Sequence, residues 1–341
     1  MGRGLPTSGS LIRFRRGRPS WNGVTMTGFA TPEELRRRTA SAVGAAVAAS
    51  RELGLTVTGP RVLHDLFSVV VHLAPSPVVA RVPVVLPPAE TPEALARRRQ
   101  GELDVAHWLD AQGTPVIPPS PLVPRRPVTR DGFSLTFWQY VEEDRDRVPD
   151  YAANSHRTAA LHAALRSYPG DLSFLSTADP DSLSASLGLL ATRPDLLAPD
   201  DVDRARREWE LLEPLVRSRT AFETAFPGIG LQPVHGDCPP ANLFHGTAGD
   251  LYADFELLTL GPVEWDLATL GPELCAAYDQ GAAEAGVRRL DERVLRFVDA
   301  VGRLRGITAL ALAPRLPVLV EYLTPLVEAW RGTPFAGGVE R

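Results

Sequence analysis

The hydrophobic and polar positions change rhythm near Glu142. Before it, the apolar residues fall into short Val-rich runs broken by Pro and Gly. "LTVTGPRVL" (55–63), "LFSVVVHLA" (66–74) and "SPVVARVPVVL" (76–86) read as strands. "PLVPRRPVTRDGFSLTFWQYV" (121–141) reads as two more strands around an Asp131-Gly132 turn. Two helices accompany them. Thr31-Pro32-Glu33-Glu34 is a start signal, with a hydroxyl cap, Pro at the first helical position and acids in the first turn, for a helix to about residue 53. A second helix runs over 91–113, capped by Thr91 and stopped by Gly113. After Glu142 helical patterns dominate, at 149–168, 179–191, 199–219, 263–283, 286–301 and 315–330, with a short β island at 231–256.

The predicted organisation is α+β: a small antiparallel sheet (26–141) followed by a larger, mostly helical part (142–341). Residues 1–25 stand apart. They carry five arginines and no acid, and Met26 opens a segment that reads like an ordinary amino terminus. They are read as a basic, disordered extension whose translation is open, and without interleaved aromatics they do not indicate a nucleic-acid partner.

Composition narrows the chemistry. The chain has 341 residues, 44% hydrophobic and 23% charged, with no apolar run of membrane-spanning length, so a cytoplasmic protein with no membrane partner is expected. Two cysteines build neither a disulfide framework nor a four-ligand zinc site. All 36 basic residues are Arg, which excludes any mechanism that needs a lysine amine. Residues 1–141 hold 17 Arg and 10 acids, whereas 142–341 hold 19 Arg and 31 acids. A basic first part suits an anionic ligand such as a nucleotide. An acidic second part suits metal ions or a cationic substrate.

The chemistry concentrates in "LQPVHGDCPPANLFHGTAGDLYADFE" (231–256). A short apolar stretch enters His235-Gly236-Asp237, Asn242 follows after four residues, and a Gly-rich turn leads to Asp254 and Glu256. Read physically, this is a loop followed by a hairpin, converging Asp237, Asn242 and Asp254. Three oxygen ligands there suit Mg²⁺, and a carboxylate not spent on metal suits a substrate hydroxyl. That is the minimal apparatus of phosphoryl transfer.

His235-Gly236-Asp237-x4-Asn242 followed by Asp254-Phe255-Glu256 resembles the catalytic loop and metal motif of the aminoglycoside phosphotransferase family, relatives of choline and homoserine kinases with a two-lobed protein-kinase-like fold. The resemblance implies a small-molecule kinase that moves the γ-phosphate of a Mg²⁺-bound ATP or GTP to a substrate hydroxyl. It implies Asp237 as the catalytic aspartate, Asn242 and Asp254 as metal ligands, and Glu256 either as a further metal candidate or as a structural residue behind the metal ligands. His235 is grouped with Asp237 as a catalytic candidate, its other reading being a loop-shaping residue. Asp266 in "VEWDLA" would hold the catalytic loop, and "AALHAAL" (159–165) resembles the helix behind it.

The resemblance extends into the first part. Kinase-like proteins hold the α- and β-phosphates with a strand lysine paired to a helix glutamate. Here Arg81 and Glu102 stand in those places, so arginine replaces the usual lysine. The phosphate-covering stretch, 59–68, is poor in Gly, which leaves Ser68 or main-chain amides to serve. The adenine would lie against the connector at 137–144, read by backbone groups at Gln139, Tyr140 and Val141. The implied acceptor is a small, hydroxyl-bearing and, on the charge argument, cationic molecule, walled by helices after residue 270. A monomer or homodimer is expected. Two other readings stand beside this one. A non-catalytic nucleotide-binding module is motivated by the missing lysine and the Gly-poor loop. A metal-dependent hydrolase using His235, Asp237 and Asp254 lacks further His ligands at suitable spacing.

Overall fold

The computed structural model describes residues 28–339; the basic segment 1–25 and the start at Met26 lie outside the described residues. Helix α1 (Pro32–Glu52) opens on the expected capping box: the Thr31 amide donates to Glu34 Oε2 at 2.7 Å, and the Glu34 amide to Thr31 Oγ1 at 3.2 Å. Strands β1 (Val57–Asp65), β2 (Ser68–Pro75), β3 (Val78–Pro83), β4 (Val128–Arg130) and β5 (Phe133–Gln139) follow, with α2 (Pro92–Ala111) inserted after β3. The strands form one antiparallel sheet in the order β1-β2-β3-β5-β4. The β4–β5 turn falls on Asp131 and Gly132, both at positive φ, as an Asp-Gly hairpin requires, although β4 keeps only three residues.

Strand alternation gives the sheet two unlike faces. Val69 and Val71 of β2, Val78, Ala80 and Val82 of β3, and Leu135 and Phe137 of β5 pack with Ala42, Ala46 and Ala49 of α1 in one core. Their alternates Ser68, Val70, Val79, Arg81 and Trp138 line a cavity. Placing Arg81 in a Val-rich strand therefore aims it into that cavity while its neighbours hold the strand down.

The larger part is helical: α3 (Tyr151–Leu165), α4 (Pro180–Leu190), α5 (Pro199–Arg217), α6 (Arg219–Ala225), α7 (Pro272–Ala285), α8 (Glu292–Thr308) and α9 (Val318–Arg331). Between α6 and α7 come β6 (Gln232–Val234), β7 (Leu243–Gly246), β8 (Gly249–Tyr252) and β9 (Thr259–Gly261), paired β6 with β9 and β7 with β8.

Three expected helices differ from those observed, each for a local reason. The span 263–283 is a short 3-10 turn and then α7, because Gly271 takes a positive φ and Pro272 starts a new helix. The span 286–301 shifts to α8: Gly286, left-handed, ends α7, and the Asp291 carboxylate caps the amides of Arg293 and Val294 at 2.9 and 3.3 Å. The span 199–219 divides at Ser218, whose hydroxyl accepts from the Ala221 amide at 3.2 Å to start α6. No helix among the described residues is long and apolar enough to cross a membrane.

Candidate active site

The loop after β6 is pinned before it reaches the cavity. The buried Asp266 carboxylate accepts from the amides of His235 at 2.8 Å and Gly236 at 2.7 Å. It also holds His162 Nε2 of α3 at 2.8 Å, while His162 Nδ1 meets the Tyr278 hydroxyl of α7 at 2.8 Å. An acid whose oxygens are all engaged in this way tolerates burial and fixes whatever it binds. Gly236 sits at φ +87°, and a Cβ there would meet the Leu257 carbonyl oxygen at 1.7 Å. Only glycine lets the chain pass this point and turn Asp237 toward the cavity.

Asp237 is 6% exposed and lines the cavity. The Asn242 amide nitrogen donates to the Asp237 main-chain oxygen and, at 3.3 Å, to Oδ2. Because a carbonyl can only receive a donor, this contact fixes the amide's orientation and leaves Asn242 Oδ1 buried without a hydrogen bond. Asp254 follows β8 in the left-handed region, φ 68°, which re-aims its side chain into the same cavity. The Ala253 amide donates to the Asn242 carbonyl at 3.2 Å and ties the two segments together. Burial first, and then the neighbouring Asp254 carboxylate, push Asp237 up to about 7, with Arg305 pulling the other way.

His235 does not reach the cavity. It is fully buried, its ring packs at 4.8 Å against Phe255, and Nε2–H donates to the Ala253 carbonyl at 2.9 Å. That carbonyl requires a donor, so Nε2 carries the proton and Nδ1 is left buried without a hydrogen bond. The expectation of a catalytic His235 is corrected by this geometry: the side chain braces the segment leading into Asp254 and cannot touch a substrate.

Arg81 and Glu102 meet at 2.7 Å between Nη1 and Oε1. The same Nη1 lies 2.7 Å from Asp254 Oδ1, and Nη2 lies 3.0 Å from Glu256 Oε1. Arg99 of α2 completes the group, 3.1 Å from Glu102 Oε2 and 2.5 Å from Glu256 Oε2. Burial opposes the Arg81 charge, but Asp254, Glu256 and Glu102 outweigh it and raise its pKa well above the ordinary value. Of the two readings of Glu256, the geometry fits the structural one. Burial would raise its pKa, yet Arg81, Arg99 and Arg98 hold it down at about 2, and both its oxygens face guanidinium groups instead of a metal position.

The cavity between the sheet and the helical part measures about 950 Å³, and Ser68, Arg81, Glu102, Asp237, Asn242 and Asp254 all line it. Its size suits a nucleotide together with a small second ligand. Most of the stretch expected to cover phosphates is strand β1, and only Leu66 and Phe67 separate β1 from β2. Ser68 faces the cavity as the first residue of β2. At the connector, the Gln139 amide is spent on the Pro118 carbonyl and the Tyr140 amide on the Pro77 carbonyl, both at 3.0 Å. Among the described residues the Val141 amide makes no hydrogen bond, and Val141 lines the cavity. Tyr140 stacks on His72 at 3.8 Å and 5°.

Sequence reasoning passed over Arg99 and Arg305. Arg99 carried a signal, its i,i+3 spacing to Glu102 on one helix. Arg305 carried none, since only the return of α8 brings it beside Asp237.

Known proteins can now be set beside this geometry. A family model described as the phosphotransferase enzyme family, APH, matches residues 62–303. No curated protein matches the chain. Among solved structures, a microcompartment-associated aminopropanol kinase is 16% identical with TM-score 0.56, covering 86% of this chain and 99% of that one. The GDP and kanamycin complex of APH(2″)-IIia is 13% identical with TM-score 0.55, covering 84% and 97%. The amicoumacin kinase hAmiN in complex with AMP-PNP, Ca2+ and Ami is 14% identical with TM-score 0.55, covering 88% and 96%. At these identities the three share the fold. The family match spans β2 and β3, the Asp237 loop and Asp254, and the chain belongs to the APH phosphotransferase enzyme family.

Proposed function

We propose that the protein transfers the γ-phosphoryl group of ATP or GTP to an alcohol of a small acceptor in the cavity between its sheet and its helices. The observation that carries this reading is the convergence of Asp237, Asn242 and Asp254 on that cavity, with Arg81 beside Asp254. Arg81 binds the nucleotide's phosphates in place of a lysine, steadied by Glu102 from behind. Asp237 lies in position to take the acceptor's hydroxyl proton. The acceptor oxygen then bonds to the γ-phosphorus as the bond to the β-phosphate oxygen breaks, leaving the nucleoside diphosphate and a proton on Asp237. A side chain raised to about 7 by burial suits that task near neutral pH.

A divalent cation fits the residues present. Asn242 Oδ1 is a buried oxygen without a hydrogen bond, and Asp254 Oδ1, which lies 2.7 Å from Arg81 Nη1, likewise accepts none. Two protein oxygens suit Mg²⁺, which keeps waters and shares phosphate oxygens. Bound there, it would neutralise charge on the phosphates. Glu256, locked to two arginines, is left out of this set. The placement of Arg81 against Glu102 supports the catalytic reading over the non-catalytic module that the lysine-free strand motivated.

The test is thermal stabilisation by ATP and by GTP, with and without Mg²⁺. Nucleotide at about 100 times its dissociation constant adds on the order of 2.7 kcal/mol. The expected shift depends on Mg²⁺ and is lost in Asp254→Asn. No shift with either nucleotide would sink the proposal.

A further inference from the structure

Arg305, in the last turn of α8, lies just beyond the residues that the family model matches. It lines the cavity, and among the described residues its guanidinium makes no hydrogen bond and no ion pair. Its guanidinium carbon lies over the face of Trp265, 5.5 Å from the ring centroid. The other arginines of the cavity wall near Asp237 are already neutralised, Arg81 and Arg99 by Glu102 and Glu256, and Arg98 by Glu90.

The acids around Arg305 are Asp237, Asp179 and Asp266, and each has other work. Asp266 holds the loop amides and His162. Asp179 caps α4 through the Ser182 amide at 3.1 Å. Asp237 is the proposed proton acceptor. Burial lowers the pKa of Arg305, so its charge is costly until an anion reaches it. Ser186, whose hydroxyl makes no hydrogen bond among the described residues, lines the same cavity, as do Thr308 and Leu312.

Arg305 lines the cavity that Asp237 also lines, together with Ser182, Leu183 and Ser186 of α4, a helix that packs against α8. The cavity wall includes acids of the second part, Glu142, Glu143, Asp144, Asp146 and Asp179 among them. Glu264 is clamped by Arg288 at 2.5 Å and by the Asp291 amide, Asp279 accepts from the Leu290 amide, and neither they nor Glu273 line the cavity. Helix α7 therefore contributes no wall here. Helix α4, which precedes the catalytic loop, does, together with α8.

We infer that the acceptor carries an anionic group, a carboxylate or a phosphate, which Arg305 binds while the acceptor's hydroxyl lies at Asp237. This rests on the phosphotransferase reading above and reverses the cationic acceptor that charge composition alone suggests. A guanidinium offers such a group two parallel N–H donors, and pairing removes the cost of the unpaired charge.

The test uses γ-labelled ATP, Mg²⁺ and a small-molecule cell extract freed of nucleotides and divided by ion exchange into cationic, neutral and anionic pools. The wild-type protein is expected to label a product only from the anionic pool. Arg305→Gln should cut that transfer at least about tenfold while the thermal shift with Mg²⁺ and ATP persists, and Arg305→Lys should restore part of it. Pretreating the pool with a phosphatase abolishes labelling if the anion is a phosphomonoester and leaves it if the anion is a carboxylate. Label moving only from the cationic or neutral pool would overturn the inference without any variant. So would Arg305→Gln reducing transfer from every pool equally, which would assign Arg305 to the transferred group. Wild-type protein that labels nothing from any pool would remove the phosphotransferase reading itself, and the inference with it.

Discussion

Replacing Asp237 by Asn should make the protein more stable at alkaline pH. The carboxylate is 6% exposed and lies near Asp254, and its pKa rises from 3.8 to about 7. The folded state thus holds the proton more tightly than the unfolded chain does. Ionisation opposes folding, so wild-type stability is full below about pH 4, falls as pH rises toward 7, and is level above that. Roughly three units at ~1.36 kcal/mol each set a ceiling of about 4 kcal/mol, and relaxation around the ion leaves an expected difference of about 2–4 kcal/mol. Asn cannot ionise, and its side-chain oxygen can still accept from Asn242. Urea unfolding followed by the fluorescence of the six tryptophans, from pH 4.5 to 8.5, reads the difference directly. The two proteins should converge toward pH 4.5 and diverge up to about pH 7. A difference that is constant with pH, or a wild type more stable at pH 8, would refute the claim that Asp237 is buried against Asp254.

Phosphoryl transfer should rise with pH along a one-proton limb below about 7, and its midpoint should fall when bound Mg²⁺ offsets the Asp254 charge; a flat profile from pH 5 to 9 would contradict a base at Asp237. Gly236→Ala should fail to reach the native loop, because its Cβ meets a main-chain oxygen at 1.7 Å, and limited proteolysis should then cut near residue 236 in the variant alone. Arg81→Met should cost about 3–5 kcal/mol in chemical unfolding, since it removes the ion pair of Asp254 and leaves Glu102 and Glu256 to Arg99, and should also abolish nucleotide-induced stabilisation.

What was legible in the sequence follows from how local each signal is. Caps at Thr31 and Thr91, the Asp131-Gly132 turn and the Val-rich alternation are short-range, and the structure realises each of them. The loop motif was legible because Asp237, Asn242 and Asp254 lie within one stretch of chain. The misread elements depend on chain geometry at single residues, as where Gly271 and Gly286 end segments whose apolar pattern continues. His235 and Glu256 were each left with two readings because residue type does not say which way a side chain faces. The backbone turn at Gly236 sends His235 inward and Asp237 outward, and the guanidinium groups of β3 and α2 capture Glu256. Arg305 was invisible because its position beside Asp237 exists only once α8 has packed.

The most direct test of the account compares wild type and Asp237→Asn for transfer of γ-labelled phosphate in the presence of Mg²⁺, with nucleotide binding measured on the same samples. The account predicts that Asp237→Asn binds Mg²⁺ and ATP as tightly as wild type, within about threefold, while transfer falls by about a hundredfold or more. Equal transfer by the two proteins would contradict the assignment of Asp237 and the proposed mechanism built on it.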